Sequence, residues 1–286
     1  MTDRLRPLWD FDDLDGTEER FRDQLARETE SGRAEVLTQL ARIRGLRGDF
    51  ETAERLMEGA EVGAGDDEAT RARIDLERGR LRRSSGDGDA ALPLFESAVA
   101  IALDAGEHFL AADAAHMAAL ASSDVDEIVA WTQRGIDLAT IHEDAGYWLG
   151  PLLNNLGWTY YVAGEFSSAL VAFERALEAR EREPENPAAI EIARYAVGKT
   201  LRALGRSDEA VPHLVRSVTW AEAAGTPDGW FHEELALEFA DVGRSHAARD
   251  QARLALLPLL IEADPSFADD VERANRLRDL AGASER

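Results

Sequence analysis

Asp113 and His116 are the nearest this sequence comes to a catalytic pair. Their i, i+3 spacing puts both on one helix face, where a carboxylate can polarise an imidazole or both can hold a metal ion. Two ligands do not complete a site, and His108 is poorly placed to be a third, so an Asp–His hydrogen bond is the expected state. His232, Glu233 and Glu234 form a fragment of the H-E-x-x-H zinc pattern without its second histidine. SSGDGD at 84–89 looks like the start of a calcium loop but lacks the bidentate glutamate that closes one, and it reads as a turn between helices. No G-x-S-x-G and no phosphate-binding G-x-x-x-x-G-K occurs. The absence of cysteine excludes thiolate zinc sites, iron–sulfur clusters, disulfides and cysteine nucleophiles. His142, His213 and His246 read as surface residues. The expectation is a non-enzyme without cofactor or metal. An enzyme using Asp113 and His116 in a central cavity is the minor alternative.

The elements that would position these residues are constrained by composition. The chain has 286 residues, 45% hydrophobic and 31% charged, as in a globular protein. Acids outnumber bases 56 to 32, giving a net charge of -24. That balance argues against nucleic acid and against an anionic membrane as partners. No apolar run is long enough to span a bilayer, and the N-terminus lacks the apolar core of a signal peptide, so a cytoplasmic location is expected. Lys199 is the only lysine, which with few Asn and Ile suggests a GC-rich, bacterial genome.

The clearest internal pattern lies in 152–180. Leu153, Leu156, Gly157 and Tyr160 share one helical face, Gly164 marks a turn, and Ala169, Phe173 and Ala176 line a second face. The small residues let two antiparallel helices approach, and Tyr160 and Phe173 fill the space beside them. Related patterns occupy 34–60, 74–98, 194–217 and 232–255. Turn glycines 48, 86, 164, 205 and 243 recur about every 40 residues with one double-length gap. The segment 107–139, with a turn at Ser122, Ser123 and Asp124, fills that gap in the least certain register.

These residues resemble the tetratricopeptide repeat, a helix–turn–helix unit. Leu156, Gly157, Tyr160, Gly164, Ala169, Phe173 and Ala176 agree with its pattern. Leu153 replaces its tryptophan, its proline is displaced to Pro184, and Arg78 stands where a leucine is expected. The resemblance implies an all-α, right-handed superhelical solenoid of about six helix pairs with capping helices at both ends. The expected divisions are an N-terminal arm and cap over 1–32, the solenoid over 33–264, and a C-terminal cap and tail over 265–286. Asp15 or Thr17 is placed to N-cap a first helix carrying Phe21 and Leu25, with Trp9, Phe11 and Leu14 folding back onto the first repeat. Pro265 is placed to open a last helix with Phe267, Val271, Ala274, Leu277 and Leu280 on one stripe, and the last residues are expected to fray.

In such solenoids the first helix of each pair lines the concave binding side. Residues rotated away from the packed layer give a second stripe: Gln39 and Arg42; Glu77, Arg80 and Arg83; Asp113 and His116; Asn155 and Trp158; Tyr195, Lys199 and Arg202; and Trp230 beside Glu234. The expected function is a binding scaffold that holds a peptide, a protein segment or a small polar or anionic ligand against this stripe. A ligand-responsive regulatory sensor is the alternative, and a solvated groove without ligand is the bland reading. Arg42, Arg80, Lys199 and Arg202 favour an anion, with Trp158 and Tyr195 as flat contacts. Some relatives clamp peptide C-termini with two lysines, two asparagines and an arginine; Asn155 matches one member, but the lysines are missing.

Overall fold

The computed structural model describes residues 3–264, Phe267 and 270–282. Among the described residues there are helices and turns but no strand. The chain divides into two compact units, Met1–Leu152 and Leu153–Arg286. The division falls within the stretch read from the sequence as repeats.

In the first unit a 3-10 turn at Arg6–Leu8 precedes α1 (Leu14–Arg27), α2 (Glu30–Leu46), α3 (Phe50–Ala64), α4 (Glu68–Ser84), α5 (Gly88–Asp104), α6 (His108–Ala121) and α7 (Val125–Ile141). A second 3-10 segment, Glu143–Trp148, leads into α8 (Leu149–Val162). Aspartates start many of these helices: Asp13, Asp49, Asp67, Asp87 and Asp124 each accept a backbone N–H of the first turn. Each such cap contributes about 1 kcal/mol, so part of the acidic excess is structural. The first cap is Asp13, not Asp15 or Thr17. Thr17 lies inside α1, fully buried, and its hydroxyl exchanges hydrogen bonds with the backbone of Asp10.

Helices pack in consecutive pairs, α2 on α3, α4 on α5 and α6 on α7. Small residues set the approach. A Cβ on Gly79 would lie 2.5 Å from the Phe95 ring, so the residue must be glycine where α4 meets α5. Arg78 does not disturb this register, because its side chain leaves the pair and binds Glu61 and Glu54 of α3. The α6–α7 pair confirms the unit expected at 107–139, with its turn between Ala121 and Val125.

The second unit continues with α9 (Phe166–Glu181), α10 (Pro187–Ala203), α11 (Ser207–Ala223), α12 (Gly229–Asp241) and α13 (Ser245–Ala255), then α14 (Pro258–Glu262) and α15 (Val271–Leu280). Gly157 of α8 meets the ring of fully buried Phe173, and Gly164, at φ +78°, makes the left-handed turn between their helices. Six helix pairs thus repeat from α2 to α13. The last helix begins at Val271 under an Asp270 cap. Pro265 and residues 283–286 lie outside the described residues. Phe267, Ala274 and Leu277 are buried as expected, whereas Val271 is 63% exposed and off the stripe. The fold is an all-α repeat solenoid. Among the described residues no helix is long and apolar enough to cross a membrane.

Candidate functional site

In the first unit the expected stripe forms a continuous polar network across α2, α4 and α6. Gln39, Glu77 and Asp113 are all buried. Gln39 Nε2 donates to Glu77 Oε1 at 3.2 Å, and Arg80 donates to the same oxygen at 2.6 Å and to Asp113 with its other nitrogen. Arg42 reaches Glu77 at 3.7 Å. The spacing of about one repeat between Gln39, Glu77 and Asp113 stacks equivalent positions of successive inner helices. Their polarity is held by partners on the same helix and on the neighbouring inner helices: Arg80 lies on the helix of Glu77, and Arg42 and Gln39 reach Glu77 from α2.

Asp113 takes a partner beyond the His116 expected from the sequence. Asp113 accepts from Arg80, while the His116 ring lies 5.3 Å from that of Trp148. Burial lowers the His116 pKa to about 4; Asp113 opposes this, and Arg80 and Arg83 reinforce it. Its imidazole is therefore neutral at physiological pH. Burial, followed by the like charge of Arg80, also lowers the pKa of Arg42.

The N-terminal arm lies on this same face. Trp9 and Phe11 fold back as expected, stacked on each other at 4.9 Å, and the Trp9 indole N–H donates to Gln39 at 2.8 Å. The arm also reaches well beyond the first repeat. Asp3 receives two 2.9 Å hydrogen bonds from Arg73 of α4, Leu5 is buried, and Arg6 lies 3.1 Å above the Tyr147 ring. Asp3, Arg6, Arg73, Phe109, Tyr147 and Trp148 were not singled out in the sequence. The adjacent aromatics at 147 and 148, directly before the best-matching repeat, were the one available signal.

Two cavities open here. One, of about 160 Å³, lies between the arm and the inner helices and has Glu77 and Asp113 in its wall beside Arg6, Arg42 and Arg73. The other, of about 170 Å³, is walled by Arg42, Arg80 and Arg83 with Gly45, Leu46, Leu81, Ser84 and Met117, and contains no carboxylate in its lining. Arg83 is exposed, with its Nε on the Leu120 carbonyl at 3.2 Å.

In the second unit Lys199 and Arg202 both bind the buried carboxylate of Glu234, and Arg202 also reaches Asp241 at 3.0 Å. Burial first, then the charge of Glu234, raises the Tyr195 pKa well above its ordinary value; the ring is core, 5.1 Å from Phe231. Trp158 is half-buried in a T-shaped contact with Phe173, ring centroids 5.1 Å apart, and Asn155 is half-buried on the same helix. Trp230 is 39% exposed under the Arg273 guanidinium, 3.5 Å above its ring. His213 and His142 are half-buried, unlike exposed His246. The His142 ring stacks on that of His108 at 3.5 Å.

The tetratricopeptide repeat model matches residues 152–183, the stretch holding Gly157, Gly164 and Phe173. No curated protein matches the chain significantly. Among solved structures the chain is similar to the apo form of RapI, at 12% identity and TM-score 0.71, covering 97% of this chain and 80% of that one. It is similar to aspartyl phosphate phosphatase F from Bacillus subtilis, at 15% identity and TM-score 0.62, covering 99% and 74%. It is also similar to a Pyrococcus horikoshii signal transduction ATPase with a tetratricopeptide repeat sensor, at 14% identity and TM-score 0.70, covering 95% of this chain but 42% of that one. Residues 152–183 thus match a tetratricopeptide repeat, and the likeness of the rest of the chain to these structures is one of fold.

Proposed function

We propose that the protein is a non-enzymatic binding scaffold whose first unit takes an acidic side chain of a peptide or protein partner, or a small carboxylate. The carboxylate-free cavity between Arg42, Arg80 and Arg83 carries this reading. Arg80 is already held by Glu77 and Asp113, so it supplies fixed charge, while Arg42 and Arg83 have donors to give. Leu46, Leu81 and Met117 suit the methylene stem of a glutamate. The net charge of -24 repels acidic ligands at long range, so saturable binding of one reports a local site. Asn155, Trp158, Lys199, Arg202 and Trp230 are proposed as a contact surface of the second unit by itself. Fluorescence anisotropy of a labelled peptide with consecutive glutamates, beside its glutamine counterpart, tests the reading. Saturable binding of the glutamate peptide alone is expected, and equal behaviour of the two refutes it.

A second reading, a ligand-responsive sensor, is favoured by the arm, which sits on the face a ligand would use. The similarity to a structure described as containing a tetratricopeptide repeat sensor supports it too. On this reading a ligand displaces residues 3–11. Limited proteolysis tests it: ligand should speed cleavage within the arm, and unchanged cleavage at saturating ligand rejects it.

A further inference from the structure

His108, His142 and Asp144 come from two places in the first unit, the start of α6 and the chain just after α7. His108 is the first residue of α6, His142 follows α7, and Asp144 is the second residue of the 3-10 segment Glu143–Trp148. Each is half-buried, and one donor atom from each lies within 4.8 Å of the other two. The two imidazoles are stacked at 3.5 Å with planes 9° apart. His108 Nδ1 lies 3.4 Å from Asp144 Oδ1.

We infer that these three side chains form a binding site for a divalent transition-metal ion of the zinc type. The donor chemistry is that of two imidazoles and a carboxylate, a set that suits zinc and leaves a fourth position for water. The 3.4 Å separation is long for a hydrogen bond, whose usual N···O distance is about 2.9–3.0 Å. It equals the edge of a tetrahedron with arms of about 2.0–2.1 Å, the zinc–nitrogen and zinc–oxygen lengths. A metal lies in the plane of each ligating ring, so binding turns the imidazoles out of their parallel stack about χ2, a rotation open to half-buried side chains. The ion would join α6 to the segment that carries Tyr147 and Trp148. These two aromatics and Phe109, next to His108, line the cavity under the N-terminal arm. The metal would thus fix one wall of that cavity.

The test uses the tag-free full chain, stripped with chelator and titrated with zinc by calorimetry, with metal content read by mass spectrometry. One ion per chain is expected. His108→Ala, His142→Gln and Asp144→Asn should each weaken it roughly tenfold or more, while His246→Ala, at an exposed histidine, should not. Cobalt should give a visible d–d band that zinc abolishes. Circular dichroism of the metal-free variants separates loss of a ligand from loss of fold, and any variant that misfolds is replaced by the conservative change at that position. Absence of zinc binding in the wild-type chain, or binding that survives in folded His108 and His142 variants, would overturn the assignment.

Discussion

Asp3 and Arg73, 70 residues apart in sequence, meet through two parallel 2.9 Å hydrogen bonds that pin the N-terminal arm to the inner face of α4. Both side chains are nearly buried, at 10% and 6% exposure. Breaking such a pair by removing one partner leaves a buried charge and costs about 3–5 kcal/mol. Asp3→Ala should therefore lower the melting temperature and expose the arm to protease, whereas Asp10→Ala should do neither. Matching melting curves for wild type and Asp3→Ala would contradict this anchor.

The same pair should make the arm acid-sensitive. Burial pushes the Asp3 carboxyl up, but the charge and hydrogen bonds of Arg73 outweigh it and hold the pKa below the ordinary value of 3.8. A carboxylate with a depressed folded pKa contributes stability above its unfolded pKa and loses it as pH falls through the folded one. The arm should stay docked at neutral pH and release below about pH 4. Protease sensitivity of the arm against pH checks this, and release near neutral pH would contradict it.

His116 gives acid sensitivity in a higher window. Its folded pKa is lowered, mainly by burial, from 6.5 to about 4. The unfolded chain thus binds the extra proton first, so His116 favours the folded state above pH 6.5 and loses that contribution as pH falls toward 4. Burial lowers His213 as well, adding to the same trend. His116→Phe should flatten the stability curve between these limits, measured by denaturant midpoints. An unchanged slope would place the titration elsewhere.

Gly157 tests the repeat packing. A Cβ there would lie 2.5 Å from the Phe173 ring, which is fully buried and cannot withdraw. Gly157→Ala should cost about 1–3 kcal/mol through overpacking, and thermal unfolding would show it. A gain in stability would mean that the two helices sit farther apart.

The small-residue spacing made the repeats legible, because Gly157, Ala169 and Phe173 carry local sterics that sequence distance encodes. The six pairs, including the one with the Ser122 to Asp124 turn, followed from that. The cap at Asp13 was missed because Asp13, Asp15 and Thr17 all have capping chemistry, and only the path of the arm chooses among them. The Arg80 partner of Asp113 was missed for a similar reason: it arrives from the preceding repeat. Asp3 and Arg6 showed no periodicity, and their partners Arg73 and Tyr147 lie in other elements. His142 read as a surface residue because nothing local indicates that the chain after α7 returns to the start of α6.

The most direct test of the scaffold reading is calorimetric titration of the glutamate peptide into wild-type chain and into the Arg42→Ala, Arg83→Ala double variant. Each charge-assisted hydrogen bond contributes about 1.5–3 kcal/mol, so the double variant should bind at least about a hundredfold more weakly while its circular dichroism stays helical. Equal affinity in wild type and a folded double variant would contradict the proposed site and the acidic-ligand reading with it.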